Sequence, residues 1–113
     1  MKQNKIYSLL GIATRGRNIK SGEFATESAV KDGSASLVIV AEDASENTKK
    51  LFSNKCSFYE VPYYIYGTKE ELGHAMGKDL RSSLAVVDDG IAQAVIKHLE
   101  ESENLGGSKH GEN

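Results

Sequence analysis

Two short apolar runs constrain the fold more than any other feature of the sequence, because neither has a polar face. Residues 37–41 read LVIVA and residues 83–87 read SLAVV. Each run has the length of a strand, and a strand that is apolar on both sides must be covered on both faces of its sheet. The two runs therefore predict a sheet that is covered by helices on each side.

The segments before the first run have helical periodicity. One apolar stripe marks a helix of about ten residues and is formed by Ile6, Leu9, Leu10 and Ala13. A second helix is predicted to begin near Gly22 and to stop at Gly33, a residue that adopts the left-handed conformation easily. Its inward residues are predicted to be Ala25, Ala29 and Val30, and Phe24 does not fit that stripe.

The segments after the first run continue the alternation of helix and strand. Either Asp43 or Ser45 is predicted to cap a third helix, whose apolar face is Leu51, Phe52 and Cys56. Residues 61–66 read VPYYIY, and because Pro62 cannot donate to a ladder, this strand is predicted to lie at an edge of the sheet or to have the proline among its first residues. Thr68 and Glu71 have the spacing of a capping box, which begins a fourth helix that ends at Gly77.

The last helix is predicted to be capped by Asp88 or Asp89, with Ile91, Ala94, Val95 and Leu99 as its apolar face. Together these elements predict an α/β fold, a three-layer α/β/α sandwich with a small mixed four-stranded sheet. The predicted domain is residues 1–100. Residues 101–113 are polar and rich in glycine, which predicts a disordered tail.

Length and composition exclude several classes of protein. A chain of 113 residues that is 39% hydrophobic fits one globular domain. It has no run of about 18 apolar residues for a membrane span, and its first 17 residues lack the apolar region and the cleavage pattern of a signal peptide. We therefore expect a cytoplasmic protein without membrane contact. Cys56 is the only cysteine, which rules out an intrachain disulfide and a zinc site made of several thiolates.

No catalytic constellation emerges from the sequence. Gly11 and Gly16 have the spacing of a phosphate-binding P-loop, but the Lys-Ser/Thr pair and the preceding strand are missing. The acid pairs 42–43 and 88–89 suit either a metal or helix capping, and capping is the favoured interpretation. The histidines have no ligand spacing and are His74, His98 and His110. We therefore predict a protein without enzymatic activity, metal or cofactor.

Charge is distributed unevenly along the chain. Residues 1–20 contain no acid and five basic residues, whereas residues 21–100 contain 8 basic and 13 acidic residues. A localised basic end is typical of a selective nucleic-acid surface, although a solvated helix end is the alternative. Next to it, Gly22 would allow close approach of a nucleic-acid backbone, and Glu23 would accept from base amino groups. An outward Phe24 would stack on unpaired bases.

Several motifs resemble the L7Ae ribosomal protein family. They are GIATR at residues 11–15, IKSGE at 19–23, ASLVIVAEDAS at 35–45, VPY at 61–63 and LGHAMGKD at 72–79. The run AEDASENT and the run GTKEELGHAMGK are similar to the bacterial, YlxQ-type branch. The resemblance extends over about residues 5–100, in order and with matching spacings.

The resemblance implies an RNA-binding protein for kink-turns, which are sharply bent internal loops with tandem sheared G·A pairs, and ribosomal RNA is among the implied partners. It places the first contact surface at Lys20, Gly22, Glu23, Phe24, Ala25 and Ser28. It places the second at Lys78, Asp79, Leu80 and Arg81. With the nearby Arg15 and Arg17, the basic residues of both surfaces would hold phosphates. We expect a monomer.

Three positions depart from the archaeal members of that family. Phe24 and Ala25 stand where those members have an Asn-Glu pair, and Ser28 stands where they have a lysine. Losing a base-edge contact costs about 1–3 kcal/mol, which predicts kink-turn affinity weaker by about one or two decades, or a different RNA target. The alternative function is a protein-protein interaction module on the same fold, which the acidic balance of residues 21–100 and an exposed Phe24 would suit.

Overall fold

The computed structural model describes residues 4–105, which form helices and strands in alternation. In chain order the elements are α1 (Lys5–Arg15), β1 (Ile19–Ser21), α2 (Glu23–Lys31), β2 (Leu37–Val40), α3 (Glu46–Tyr59), β3 (Tyr63–Ile65), α4 (Lys69–Ala75), β4 (Ser83–Val86) and α5 (Asp89–Leu105). The two apolar runs of the sequence are β2 and β4, and every residue of both strands is buried.

The four strands form one mixed sheet in the order β1-β4-β2-β3. β2 is parallel to β3, while β4 is antiparallel to both of its neighbours, β1 and β2. α2 and α3 pack together on one side of the sheet, and α1 packs against α4 and α5 on the other side. The predicted α/β/α sandwich with a mixed four-stranded sheet is confirmed, and β3, which Pro62 directly precedes, lies at the edge.

Local hydrogen bonds explain where the helices begin. Ser45 caps α3, because its hydroxyl accepts from the backbone N–H of Thr48 at 3.1 Å. The capping box at the start of α4 forms as predicted. Asp88 caps α5 by accepting from Ile91 N–H at 2.9 Å. Asp43 does not cap α3; instead it accepts from the backbone N–H of Lys69 at 2.9 Å and so connects the end of β2 to the start of α4.

Three local features of the structure differ from the sequence analysis. The short strand β1 is not visible as an apolar run, because its three residues pair only with β4 and are partly exposed. Thr26, rather than Ala25, is buried on the inner face of α2, since its hydroxyl has polar partners there. α5 continues to Leu105, because no helix breaker precedes the glycines at 106–107. The rest of the predicted tail lies outside the described residues.

The core lies between the sheet and both helix layers. Its largest fully buried side chains include Phe52, Leu10, Leu37, Ile39 and Leu72. Burying one such side chain contributes about 1.5–3 kcal/mol, so these contacts hold the helices against the sheet and fix the loops at its edges. Among residues 4–105, we find no helix with the length and apolar character needed to span a bilayer.

Candidate nucleic-acid interface

Two segments that are distant in sequence meet at one end of the sandwich. The Nε–H of Arg81 donates to the hydroxyl of Ser21 at 3.1 Å, and the Arg81 Nη1 donates to the carbonyl of Leu80 at 2.9 Å. Ser21 ends β1 just before α2, while Arg81 ends the loop between α4 and β4. The two predicted contact surfaces are therefore neighbours. Because the Arg81 guanidinium donates to Ser21 of one segment and to Leu80 of the other, it also holds the two segments together.

The start of α2 is open to a ligand. Gly22 has φ +96 and ψ 156, a conformation that is almost confined to glycine, and its N–H donates to the carbonyl of Ser83 at 3.0 Å. Among residues 4–105, apart from Gly22 itself and its two chain neighbours, no atom lies within 4 Å of the position that a Cβ on Gly22 would occupy. Gly22 has no side chain with which to cap the helix, so the first-turn N–H groups of α2 suit an anion.

A buried polar pair supports this end of the sheet. The Ser83 hydroxyl donates to Thr26 Oγ1 at 3.4 Å, and the Thr26 hydroxyl donates to the carbonyl of Lys20 at 3.5 Å. Both side chains are completely buried. Since a buried hydroxyl without a partner is costly, these bonds fix the position of α2 relative to β1 and β4.

The loop of residues 77–82 rests directly on α4. A Cβ on Gly73 would lie 1.8 Å from the carbonyl oxygen of Asp79, so only glycine fits at this helix position. The N–H of Lys78 donates to the carbonyl of Gly73 at 2.8 Å, and the N–H of Arg81 donates to the carbonyl of Lys69 at 3.1 Å. A glycine inside a helix is the sequence signal that would have identified this contact, because it usually marks close packing.

A cationic cleft lies beside the start of α2. The cleft has a volume of about 330 Å³, and its basic residues are Arg17, Lys20 and Lys78. Arg17 has φ 63, an uncommon conformation for a residue with a side chain, which turns the chain from α1 into β1. The remaining residues of the cleft are Thr14, Ile19, Ser21 and Met76. Three cations around one cleft favour a phosphate or another anion.

Two apolar side chains of the predicted surfaces point into solvent. Phe24 is 84% exposed in the first turn of α2, and Leu80 is 59% exposed in the loop of residues 77–82. Glu23 is exposed next to Phe24. Phe24, which does not fit the inward stripe of α2, thus points outward, and the predicted contact face combines cations with apolar groups.

Four other predicted contact residues do not line the cationic cleft. Arg15 is exposed, does not line the cleft, and lies along α1, with its Nη1 3.6 Å from the position that a Cβ on Gly11 would take. Ala25 and Ser28 are half-buried on α2. Asp79 is exposed and contributes its backbone carbonyl to the contact with α4.

Two titratable groups elsewhere have carboxylate partners. His98 Nδ1 lies 3.2 Å from the Glu101 carboxylate, and the Tyr7 hydroxyl donates to Glu71 at 2.9 Å. Burial and that carboxylate raise the pKa of Tyr7 well above its usual value. Burial raises the pKa of the Cys56 thiol to about 11. Within the described part of the chain, no three His, Cys, Asp or Glu side chains are grouped to hold a metal ion.

Comparison with known proteins agrees with this architecture. The RNA-binding protein YlxQ of Bacillus subtilis (strain 168) is 39% identical over 94 residues, which are 83% of this chain and 94% of that protein. The RNA-binding protein YlxQ of Enterococcus faecium is 36% identical over 98 residues, which are 87% of this chain and 94% of that protein. A solved structure of a Bacillus halodurans protein of unknown function superposes with a TM-score of 0.84 at 36% identity, covering 87% of this chain and 99% of that one.

A sequence profile provides the broadest comparison. It describes the ribosomal protein L7Ae/L30e/S12e/Gadd45 family and matches residues 4–100, from the N-cap of α1 into α5. The matched range includes both segments of the cationic cleft and every strand of the sheet. The chain is therefore a member of the ribosomal protein L7Ae/L30e/S12e/Gadd45 family, in the branch that includes the YlxQ proteins.

Proposed function

We propose that this chain is a non-catalytic RNA-binding protein whose interface joins the start of α2 to the loop of residues 77–82. The observation that carries the proposal is the hydrogen bond between Arg81 and Ser21, which unites two segments that the sequence alone leaves separate. Lys20 and Lys78, one from each segment, line the same cleft. The YlxQ relatives are named as RNA-binding proteins, which supports the same conclusion.

The chemistry of the interface suits a structured RNA. Phosphates bind the cleft cations and the open first turn of α2, and these contacts position the RNA without reading its sequence. Gly22 allows a base pair or sugar to approach the backbone, and Glu23 accepts from base amino groups. Leu80 packs against a base or sugar from the other side. The proposed interface consists of Arg15, Arg17, Lys20, Gly22, Glu23, Phe24, Ala25, Ser28, Lys78, Asp79, Leu80 and Arg81.

The proposed target is a kink-turn or a similarly bent RNA, including one in ribosomal RNA, bound by a monomer in the cytoplasm. The family's ribosomal description supports this choice of partner. Phe24 and Ala25 lack the hydrogen-bonding groups of an Asn-Glu pair, so affinity for the tandem G·A pairs is expected to be weaker than in archaeal relatives by about one or two decades.

The test is titration of a labelled kink-turn RNA and of the same duplex with its tandem G·A pairs replaced, each at several salt concentrations. We expect preferential binding of the kink-turn and a log-log salt slope of roughly 0.7–0.9 for each phosphate contacted. Lys78→Gln is expected to weaken the binding of both RNAs and to reduce the slope by about one. Lys50→Gln, an exposed lysine on α3, is the matched control and should leave the slope unchanged.

Two other outcomes would count against the proposal. Equal binding of both RNAs would reject kink-turn specificity and leave general RNA binding. Absence of RNA binding by the wild-type chain, together with salt-insensitive capture of a protein partner, would favour the alternative of a protein-protein interaction module, because apolar interfaces respond little to ionic strength.

A further inference from the structure

Phe24 is the most exposed of the large apolar residues whose side chains the structure describes, at 84%. An aromatic ring in this position adds nothing to the core, and phenylalanine is a weaker helix former than alanine or glutamate. The fold therefore does not require the ring. An exposed aromatic ring close to cationic residues is a feature of surfaces that bind single-stranded nucleic acid.

Phe58 provides a comparison within the same chain. It is 78% exposed on α3, but its ring forms an edge-on contact with Tyr59 at 4.8 Å between centroids. Among residues 4–105, Phe24 is in neither of the aromatic pairs that the structure forms. Phe24, in the first turn of α2, is therefore the more exposed of the two rings, and unlike Phe58, in the last turn of α3, it contacts no other aromatic ring among the described residues.

The surroundings of Phe24 specify the chemistry of the partner. On the same segment, Gly22 leaves open space above the backbone, and Lys20 lines the cationic cleft with Arg17 and Lys78. Cations beside an open aromatic ring are the combination with which proteins hold unpaired nucleotides, because phosphates bind the charges while bases stack on the ring. A phenyl ring has no hydrogen-bonding group, so it cannot read the edge of a paired base.

We infer that the RNA bound by this chain presents an unpaired nucleobase that stacks on Phe24, while a phosphate of the same strand occupies the cleft of Arg17, Lys20 and Lys78. This inference rests on the proposed RNA-binding function and makes it more specific. Phe24 acts as a specificity-determining residue: it selects RNAs by the presence of an unstacked base beside the duplex. Glu23, next to the ring, disfavours a phosphate there and accepts from the amino group of the stacked base.

The test uses the kink-turn RNA, with the unpaired nucleotides of its internal loop replaced one at a time by abasic sites. For wild-type protein, one replacement is expected to raise the dissociation constant by roughly 5- to 150-fold, the range that corresponds to about 1–3 kcal/mol for one stacked base. Phe24→Ala is expected to weaken binding of the intact RNA by a similar factor and to make binding insensitive to that abasic site. Phe24→Trp should retain the affinity.

Phe58→Ala is the matched control, since it removes a similarly exposed ring that does not line the cleft; it should bind both RNAs like the wild type. Far-UV circular dichroism and urea unfolding of each variant are expected to match the wild type, because these rings are exposed. Wild-type binding with unchanged affinity of Phe24→Ala would overturn the inference and leave the proposed function intact. Failure of the wild-type chain to bind RNA would overturn both.

Discussion

Replacement of Gly73 by alanine provides a sharp test of how the interface is built. In an ordinary helix, alanine in place of glycine stabilises the fold by about 0.5–1 kcal/mol. Here the new Cβ would lie 1.8 Å from the carbonyl oxygen of Asp79, whereas an unstrained contact needs 3.4 Å or more. The loop of residues 77–82 would therefore have to retreat from α4 by about 1.6 Å.

The size of the effect follows from the bonds that this retreat breaks. The loop is held by Lys78 N–H to Gly73 at 2.8 Å, by Arg81 N–H to Lys69 at 3.1 Å, and by the Arg81 side chain to Ser21 at 3.1 Å. Each such bond contributes about 0.5–1.5 kcal/mol. After the gain in helix propensity is subtracted, loss of these three bonds should destabilise the fold of Gly73→Ala by about 0.5–4 kcal/mol.

The assay combines urea unfolding with RNA titration. Gly73→Ala is expected to lower the urea midpoint by roughly 1 M and to weaken RNA binding, because Lys78 and Leu80 move with the loop. Gly90→Ala in α5 is the matched control: its Cβ would meet Asp88 at 3.4 Å, an ordinary contact, so its midpoint and RNA affinity should equal or exceed those of the wild type. A Gly73→Ala protein that is more stable than the wild type and binds RNA equally well would refute the reasoning.

Two further predictions concern the start of α2 and the buried thiol. Gly22→Val and Gly33→Val both place a side chain at a positive φ, +96 and +86, so each should destabilise the fold by about 1–3 kcal/mol. Only Gly22→Val should also block RNA binding. Equal RNA affinities of the two variants would contradict the placement of the interface. Burial raises the pKa of the Cys56 thiol to about 11 in the folded protein. Between about pH 9 and 11 the thiol therefore ionises in the unfolded chain but not in the folded one, so the stability that the buried thiol contributes at neutral pH is lost over this range. The wild type should therefore lose more stability than Cys56→Ala over that range, as measured by urea unfolding, and parallel pH profiles would reject this assignment.

Local patterns in the sequence were sufficient for most of the architecture. Residues 37–41 and 83–87 are apolar on both faces, so their burial in a covered sheet follows from hydrophobicity alone. Thr68 and Glu71 form their capping box within a single turn, which depends on no other part of the chain. Such features are readable because the interacting groups lie within four residues of each other.

Features that depend on long-range contacts were visible only in the folded chain. Strand β1 has no apolar run, and its pairing with β4 is what makes it a strand. Asp43 has the residue type of a helix cap, yet its partner is Lys69 on another element, because the ends of β2 and β3 bring the two segments together. The loop of residues 77–82, which packs against α4, also determines why Gly73 must be glycine.

The candidate interface combines both kinds of information. Three parts of the interface are readable from the sequence: the basic residues near the end of α1, the glycine at the start of α2 and the outward Phe24. Charge, backbone freedom and helical periodicity depend on single residues and their near neighbours, so the order of amino acids determines them. Their union with the loop of residues 77–82 is a tertiary property. It requires β1 to pair with β4, the loop to rest on Gly73, and Arg81 to reach Ser21 across 60 residues of chain, and only the packed sheet brings those groups within hydrogen-bonding distance.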